Sequence, residues 1–266
     1  MDERLLLRRT FDSVVEIYDQ ARPRYPSALY DALLSRTGLQ RDDRVLEVGG
    51  GTGIATQQLR ERGLNVTCVE LGEELASFSQ ARFAADPSVE VIHANFETWA
   101  PARTFDAVVS ASAWHWVDPE VRYQRAWRAL RPGGRLCFWG AVPTFAGDGD
   151  PLFDELQEIH ETIGRRRLGL PPQTPRPNPG TLFDRLEEIE HSGLFADAVA
   201  LRFDWRIAYA ADEYIDLLTT FSMHTALDPD KRSTLYAAIR DRISQRTVPQ
   251  VERNWAAVLH IARRIN

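Results

Sequence analysis

A cluster of glycines follows a short apolar segment in the stretch VLEVGGGTGIAT, residues 45–56. The glycines are Gly49, Gly50, Gly51 and Gly53. Glu47 precedes them, and Glu70 ends another apolar segment about 20 residues downstream, where nucleotide-binding folds place the acid that binds a ribose. Glycine lets a backbone come close to a ligand, and a carboxylate accepts hydrogen bonds from hydroxyl or ammonium groups. These residue types at this spacing predict a nucleoside cofactor site.

Two classes of cofactor use such a loop, the nicotinamide or flavin dinucleotides and S-adenosylmethionine (SAM). The dinucleotide pattern G-x-G-x-x-G requires a third glycine beside the pyrophosphate. Here that position falls on Ile54, counted from Gly49, or on Thr56, counted from Gly51. The pattern present is E-x-G-x-G-x-G, which ends at Gly53. Because SAM has no phosphate but carries an ammonium group that a carboxylate can receive, the loop favours SAM.

A second cluster able to do chemistry is Trp114-His115-Trp116, directly after an apolar segment. In open α/β sheets the ligand lies at the carboxyl ends of the strands. Histidine gains and loses a proton near neutral pH, so His115 is a candidate general base; the alternative is a packing or cofactor contact. The tryptophans are candidates for a cation–π contact with a sulfonium or for the core. Since successive strand residues face opposite ways, we expect one tryptophan to reach the site.

Further candidates for the site lie near the start of the chain and late in it. Tyr18, Arg22 and Tyr25 occur in YDQARPRYP, which is either a lid over the site or a surface helix docked on the sheet. Met223 and His224, in FSMHTAL, are candidates for an acceptor pocket or for a helix core or surface. We place Tyr25, with the two tryptophans and this pair, in the substrate pocket.

The remaining polar clusters support weaker hypotheses. Arg165–Arg167 would bind an anionic substrate or an acidic partner, or form a solvated charge run beside a proline-rich segment. His160 and His191 lie far apart in sequence, and no metal site is predicted. Cys68 and Cys137 fall in separate apolar segments and predict two buried thiols rather than a disulfide or a zinc site.

Composition places the chain among ordinary globular proteins. It has 266 residues, 44% hydrophobic and 26% charged, and a formal charge of −6, which opposes a nucleic-acid partner. No apolar stretch reaches the roughly 18–20 residues of a membrane span. The first residues do not form a signal peptide, so we expect a cytoplasmic protein. Rich arginine and alanine with little lysine are typical of high-GC bacteria, an association that favours a role in bacterial specialised metabolism.

Strand-like and helix-like segments alternate from residue 44 to residue 142. The strand-like segments are RVLEV (44–48), NVTCVE (65–70), VEVIHAN (89–95), FDAVVSAS (105–112) and RLCFWGAV (135–142). Continuous apolar runs suit strands covered on both faces. Between the last two, Asp118 is a candidate N-cap with Pro119 at the first helical position, and RPGG (131–134) would end that helix. Alternation at this pace predicts a parallel, doubly wound sheet.

The flanking segments have a different pattern. The chain before residue 40 predicts two short helices broken by RPRYP (22–26). The proline-rich stretch 164–180 predicts a loop. Later segments predict helices over 181–193, 211–222 and 229–244 and a strand over 198–209, while periodicity leaves VERNWAAVLHIARR (251–264) open between strand and helix.

The chain resembles the class I SAM-dependent methyltransferases, in particular the small-molecule "methyltransferase type 11" kind that includes trans-aconitate methyltransferase. The resemblance rests on VLEVGGGTGIAT, VTCVELGEELA, FDAVVSASAWHWVDPE and WRALRPGGRL, and takes in YDQARPRYP and YIDLLTTFS. It implies an α/β, Rossmann-like, doubly wound seven-stranded sheet whose last strand is antiparallel, which makes 251–263 a strand. It also implies a helical N-terminal lid and helical insertions.

The same resemblance assigns further cofactor residues. The position that contacts adenine, usually Asp, is Asn95 here, which keeps an acceptor oxygen for the adenine amino group, and Phe96 beside it would stack or pack. Leu71 and Ala111, together with Tyr18 and Arg22 of the lid segment, complete the predicted cofactor set. We divide the chain into a lid (1–40), a SAM-binding core (41–142), a cap (143–197) and a C-terminal part with the rest of the sheet (198–266).

The sequence therefore predicts methyl transfer from SAM to a small-molecule acceptor, with S-adenosylhomocysteine (SAH) as product. The acceptor atom, O, N or C, and the oligomeric state are left open. A nucleic-acid methyltransferase is opposed by the charge and by the absence of an N/D-P-P-Y motif. Two alternatives stay open: a SAM-binding protein with altered or lost chemistry, and an NAD(P)-dependent oxidoreductase, which Ile54 and Thr56 disfavour.

Overall fold

A computed structural model describes residues 15–144, 152–159 and 184–266. The strands are β1 (Arg44–Val48), β2 (Asn65–Glu70), β3 (Val89–His93), β4 (Phe105–Ala111), β5 (Leu130–Trp139), β6 (Ala141–Thr144), β7 (Phe195–Ala210) and β8 (Gln250–Arg264). The α-helices are α1 (Val15–Ala21), α2 (Ser27–Thr37), α3 (Ile54–Glu61), α4 (Glu73–Phe83), α5 (Arg122–Ala129), α6 (Leu152–Ile159), α7 (Leu186–His191), α8 (Ala211–Thr219), α9 (Ser222–Thr225) and α10 (Pro229–Ser244). Arg165–Arg167, His160 and the predicted loop 164–180 lie outside the described residues.

The strands form one sheet in the order β3-β2-β1-β4-β5-β8, and β7 lies along the other edge of β8. Strands β1 to β5 pair in parallel, whereas β8 is antiparallel to β5 and β7. Strand β6 continues the line of β5 along β8, because Phe138 pairs with His260 and Ala141 with Ala257 in one register. Since β5 and β6 share one line, the sheet is the predicted seven-stranded one with an antiparallel last strand.

The segment 251–263, which periodicity left open, lies within β8, so the strand implied by the family resemblance is confirmed. Its residues are buried on both faces over most of its length. The two helices predicted before residue 40 are α1 and α2, separated by residues 22–26. The helix predicted over 229–244 is α10, and the Asp228 side chain caps it by accepting from the amides of Asp230 and Lys231.

The helix predicted between β4 and β5 starts later than expected and ends where expected. The helix begins at Arg122, not at Pro119, because Asp118 forms a turn: its Oδ1 accepts from the Glu120 amide at 3.0 Å. As predicted, the helix stops before RPGG: α5 ends at Ala129, and residues 131–134 lie inside β5, at the register shift opposite Phe105 and Ala107. The local glycines therefore accommodate a bulge.

The predicted strand 135–142 is interrupted at Gly140, where β5 ends and β6 has not begun. The interruption lies beside Ser112, whose backbone has a φ of 55° and whose amide donates to the Trp139 carbonyl at 2.7 Å. A non-glycine residue in this left-handed region is uncommon and often lies at a functional site. The break opens the sheet edge at the carboxyl ends of β4 and β5.

Core residues cover both faces of the sheet. On one face, α2 and α3 pack through Leu29, Leu33 and Leu59. On the other, α5 and α7 pack through residues that include Tyr123 and Ile189. A third cluster joins α6, α8 and α10 to the outer ends of β7 and β8. Both cysteines, Cys68 and Cys137, are buried and unpaired, as predicted.

The helices in the described part of the chain include none with the length and apolar character needed to cross a bilayer. The division into 1–40, 41–142, 143–197 and 198–266 stays a prediction.

Candidate active site

A cavity of about 390 Å³ lies at the carboxyl ends of the parallel strands. Its walls include these residues predicted to hold a cofactor: Tyr18, Arg22, Gly49, Gly51, Glu70, Leu71, Asn95, Phe96 and Ala111. They also include Trp114, His115 and Trp116. A cavity of this size at this edge is where doubly wound folds bind ligands. A smaller cavity of about 50 Å³ adjoins the glycine loop and is lined by Glu47 and Tyr25.

The glycine loop needs glycine for both backbone shape and space. Gly49 has a φ of 70°, and a Cβ there would lie 2.4 Å from Cβ of Ala113. Gly53 has a φ of 87° and precedes α3, and a Cβ there would lie 2.4 Å from the Phe83 ring. Gly53 therefore packs the loop against α4 and does not line the cavity, while Gly49 lets the chain pass the loop after β4.

Glu70 connects the end of β2 to the glycine loop. Its Oε2 accepts from the Gly51 amide and its Oε1 from the Gly72 amide, each at 2.8 Å. The carboxylate is 7% exposed and lines the cavity. Because each carboxylate oxygen has two acceptor positions, both oxygens can also receive a ligand hydroxyl. Two backbone amides thus fix an acidic group in the position expected for binding a ribose.

Glu47 is fully buried beneath the same loop. Its Oε2 accepts from the Thr56 hydroxyl at 2.5 Å, and its Oε1 has no hydrogen-bond partner among the described residues. Burial raises the pKa of Glu47 to about 7, against the lowering effect of the Thr56 hydrogen bond. A buried carboxyl oxygen without a donor is costly, unless a ligand supplies one. The carboxyl lines the smaller cavity and suits a cationic group there.

Asn95 and Phe96 lie beyond the end of β3. The Oδ1 of Asn95, which was predicted to accept from the adenine amino group, accepts from the Glu97 amide at 2.9 Å. The side-chain amide nitrogen is therefore the better candidate for a contact with a ligand. Phe96 is buried in the core while one side of it lines the cavity, so packing is its main contact. Glu97, which the sequence analysis missed, also lines the cavity and accepts from the Asp118 amide at 3.0 Å.

The N-terminal segment covers the cavity from outside the sheet. Arg22 donates from Nη2 to the Thr220 carbonyl at 2.6 Å, and its guanidinium lies 4.9 Å from the centre of the Tyr18 ring and 4.7 Å from that of Phe221. Tyr25 does not reach the larger cavity; its hydroxyl bonds to Ser112 Oγ at 2.6 Å. These contacts fasten the segment to the residues that follow α8 and β4, and its role as a lid stays a prediction.

The cluster Trp114-His115-Trp116 forms a single 3₁₀ turn after β4. Trp114 is buried and stacks on Phe138, with ring centres 5.2 Å apart and 14° between planes. Trp116 is half-buried, and His115 is exposed with its ring 4.8 Å from that of Trp116. Because the segment is a 3₁₀ turn and not a strand, all three side chains line the cavity, and the expectation that one tryptophan would reach it is wrong.

The late segment FSMHTAL contributes differently from its prediction. Phe221 lines the cavity, whereas His224 is buried away from it and stacks on Tyr236 at 5.8 Å. His224 is therefore a core histidine. The side chain of Met223 lies outside the described part.

Two further cavity residues escaped the sequence analysis. Arg185 precedes α7, and His260 lies within β8. A histidine inside the apolar run AVLHIA is a signal that could have been noticed, because buried polar side chains require partners. Arg185 has no such signal, since only the fold brings residue 185 to β8.

The chain is similar in sequence to known proteins. Residues 46–138 match the family profile described as "Methyltransferase domain". An uncharacterised methyltransferase of Mycobacterium tuberculosis (strain ATCC 25618 / H37Rv) is 35% identical over 173 residues, which cover 60% of this chain and 69% of the relative. The chain belongs to the class I SAM-dependent methyltransferases. The malonyl-[acyl-carrier protein] O-methyltransferase of Enterobacter lignolyticus is 35% identical to it over 138 residues, 51% of each protein.

Solved structures share the fold of this methyltransferase. A protein of Anaeromyxobacter dehalogenans, named provisionally as a type II methyltransferase, superposes with a TM-score of 0.61 at 22% identity, over 92% of this chain and 98% of that one. Phosphoethanolamine N-methyltransferase 2 of Haemonchus contortus, in complex with phosphomonomethylethanolamine and SAH, gives 0.54 at 17% identity. The match covers 97% of this methyltransferase, which spans 60% of the nematode chain. The narrower likeness to trans-aconitate methyltransferase stays a prediction.

The residues of the site fit SAM. Glu47 presents a buried oxygen that lacks a donor, as the ammonium end of SAM requires. A Cβ at Gly49 would overlap Ala113, so the loop has no side chain at the point where it passes closest to the segment after β4. Glu70 is held by two amides at the end of the adjacent strand. SAM has no pyrophosphate, so its loop does not need the third glycine of the dinucleotide pattern. Ile54 and Thr56 at the two possible positions of that glycine agree with SAM.

Proposed function

We propose that this methyltransferase transfers the methyl group of SAM to a small-molecule acceptor bound in the same cavity. The observation that carries the proposal is the pair of buried acids, Glu47 and Glu70, placed on the two sides of one glycine loop. An acid below the loop receives a cation, and an acid at the end of β2 receives hydroxyls. That division matches the amino group of the methionine part and the ribose hydroxyls of SAM.

The residues that hold SAM under this proposal come from neighbouring strand ends and from the lid. They are Tyr18, Arg22, Glu47, Gly49, Gly51, Gly53, Glu70, Leu71, Asn95, Phe96 and Ala111. Gly53 acts through the packing of the loop, and the others act from the cavity walls or from beneath the loop. The adenine ring would lie at the end of β3, next to the Asn95 amide nitrogen.

When bound, SAM supplies an electrophilic methyl group on a positively charged sulfonium. The protein's part is alignment, because the positive charge is lost in the transfer and little new charge needs stabilising. Trp114 and Trp116 line the cavity and contribute apolar wall that leaves less room for water. Holding a nucleophile in line with the methyl group can account for several kcal/mol of the barrier, roughly 7–11 kcal/mol in the best intramolecular cases.

The size and walls of the cavity support a small acceptor. A volume of about 390 Å³ is at the lower end of ligand sites and must hold both reactants. The charge of −6 argues against nucleic acid as the acceptor. The Enterobacter relative is named for a malonyl acceptor on a carrier protein, which is compatible with a small acyl group entering the cavity.

His115 is proposed as a contact for the acceptor or for SAM rather than as an obligatory base. Its ring is exposed, and it lies where the cavity meets a shallow surface cleft that also contains Arg185. An exposed ring in this position can accept a proton when the acceptor is a hydroxyl or amine. A carboxylate acceptor would not need it.

The direct test is turnover. Purified protein is incubated with SAM carrying a labelled methyl group and with a library of small hydroxyl, amine and carboxylate compounds. The expected result is label in at least one product together with stoichiometric SAH. Glu70→Ala should abolish it, and Glu73→Ala, an exposed acid on the adjacent helix, should not. Binding of SAM without transfer to any class of acceptor would favour altered chemistry on the same fold.

A further inference from the structure

The cavity has a second end, beyond the strands that carry the proposed SAM residues. Gly49, Glu70 and Asn95 follow β1, β2 and β3, on one side of β4. Phe138 of β5 and His260 of β8 line the cavity on the other side. Because β8 is next to β5 in the sheet, this β5–β8 end is where space is left for an acceptor.

Arg185 supplies the cationic group at the β5–β8 end. Among the described residues that line the cavity, the other fully charged side chains are Arg22 of the lid, Glu70 of β2 and Glu97 beyond β3. The same end of the cavity is also lined by Trp114, Phe138 and Val258. Arg185 also lines the adjoining outer cleft with Glu188. An arginine among largely apolar lining residues favours an anionic partner, since its planar fork matches a carboxylate or a phosphate.

His260 fixes the position of Arg185. The backbone amide of Arg185, which precedes α7, donates to Nε2 of His260 at 3.0 Å. The His260 ring is 2% exposed and stacks on Phe138 at 4.7 Å and 14°. Burial lowers the pKa of His260, which keeps the ring neutral and Nε2 able to accept. The backbone amide of Arg185, which precedes the short helix α7, thus gains a hydrogen-bond partner from strand β8.

The acidic groups around Arg185 do not fully neutralise its positive charge. Its Nη1 donates to Glu188 Oε2 at 2.6 Å. The other oxygen of Glu188 pairs with Arg122, whose guanidinium is buried and also donates to the Trp114 carbonyl at 3.3 Å. One carboxylate therefore serves two guanidinium groups. Asp184 lies 3.8 Å from His260 Nε2, but its side chain is 60% exposed and screened by water.

We propose that Arg185 anchors an anionic oxygen group of the methyl acceptor, a carboxylate or a phosphate, at the β5–β8 end of the cavity. His260 is the positioning residue that holds Arg185 there. The inference rests on the proposed function for the identity of the second ligand as the acceptor. It assigns the acceptor to the class of small anions with an apolar or aromatic body.

The test measures anion preference by isothermal titration with defined probes. Benzoate and phenyl phosphate are titrated into the SAH-loaded protein, with benzamide as the neutral probe of the same shape. At least one anion should bind ten-fold or more tightly than benzamide, and the tighter one tells carboxylate from phosphate. Arg185→Gln should remove the preference, Arg185→Lys should retain part of it, and Arg128→Gln, on the exposed face of α5, should leave it unchanged.

His260 is tested through its acceptor atom. His260→Gln keeps an acceptor and should retain at least half of the preference, whereas His260→Phe keeps the ring stack and should reduce it several-fold. SAH affinity in each variant reports folding. Equal affinity for anion and amide in the wild type, or a preference that survives Arg185→Gln, would overturn the inference. The titrations are repeated without SAH, so that a failure to bind SAH counts against the proposed function alone.

Discussion

The carboxyl group of Glu47 accepts a 2.5 Å hydrogen bond from Thr56 through one oxygen, while its other oxygen has no partner among the described residues. Burial raises the pKa of this group to about 7, so the acid is largely protonated in mildly acidic solution. An ammonium ligand requires the ionised form. The glycine loop therefore couples the protonation of one buried acid to cofactor binding.

We predict that SAM binds more weakly as the pH falls below 7. The α-amino group of SAM stays protonated there, its ordinary pKa being about 8, while Glu47 gains a proton that binding must remove. The dissociation constant should rise by up to about ten-fold per pH unit between pH 7 and pH 5. Titration calorimetry at pH 6 in two buffers of different ionisation enthalpy should detect proton release. Glu47→Gln should bind weakly at every pH, and an unchanged pH slope in that variant would contradict the prediction.

The same group affects stability in the free protein. In the folded state its pKa is raised from the ordinary value of 4.5 to about 7. Between these values the folded chain holds more protons than the unfolded chain, so the free energy of unfolding should fall as pH rises and then level off above pH 7. Urea unfolding gives the free energy of unfolding of the wild type and of Glu47→Gln at each pH. The wild type should lose stability relative to the variant as pH rises to 7, so the difference between the two free energies should narrow toward pH 4.5. A difference that widens toward low pH would contradict this sign.

Gly53 is predicted to be more sensitive to alanine than another glycine of the same backbone conformation. Gly53 and Gly133 both have positive φ, but a Cβ at Gly53 meets the Phe83 ring at 2.4 Å and one at Gly133 meets nothing within 4 Å. Gly133→Ala should cost about 1–2 kcal/mol for conformation alone. Gly53→Ala should cost a further 1–3 kcal/mol, roughly, from overpacking. Urea unfolding measures both, and equal losses would show that Phe83 moves aside freely.

Arg22 is predicted to hold the N-terminal segment against the residues that follow α8. Arg22→Gln removes the charged hydrogen bond to Thr220, 198 residues away, and the contact with the Phe221 ring. A charged hydrogen bond contributes about 1.5–3 kcal/mol, so SAM affinity should fall about ten-fold and proteolysis within residues 15–26 should speed up. Arg24→Gln, at an exposed arginine of the same segment, is the control. If both variants cleave at the wild-type rate, the lid is not held by Arg22.

His115→Gln should reduce turnover of an identified acceptor by less than ten-fold and leave the pH profile intact. The reason is the exposure of the ring, which suits a contact at the cavity mouth. A general base contributes about 10²–10⁴-fold. A loss of that size, together with the disappearance of the acidic limb of the profile, would instead assign the proton transfer to His115.

The sheet and the glycine loop could be predicted from the sequence because both depend on local signals. Apolar runs marked β1, β2 and β4 within a residue or two, and the spacing of glycines and acids identified the strand ends at which a ligand would lie. The family resemblance, rather than periodicity, settled β8, because a strand buried on both faces lacks alternation.

Errors and omissions occurred where distant segments meet. His224 packs on Tyr236 of α10, which no pattern in FSMHTAL reveals. The cluster around His115 folds as a 3₁₀ turn and not as a strand, so the rule of alternating faces failed. The backbone amide of Arg185 is bonded to His260, 75 residues later, beside the cavity. Long-range hydrogen bonds of this kind have no sequence period.

The most direct measurement is calorimetric titration of the purified protein with SAM, SAH and NADH, repeated on Glu70→Ala and on the exposed control Glu73→Ala. The structure predicts that SAM or SAH binds at about micromolar concentration, that NADH does not, and that Glu70→Ala raises the dissociation constant about ten-fold or more because a charged acceptor of the ribose is lost. Glu73→Ala should bind as the wild type does. Binding of NADH, or SAM affinity that is unaffected by the loss of Glu70, would contradict the assignment of the loop to SAM.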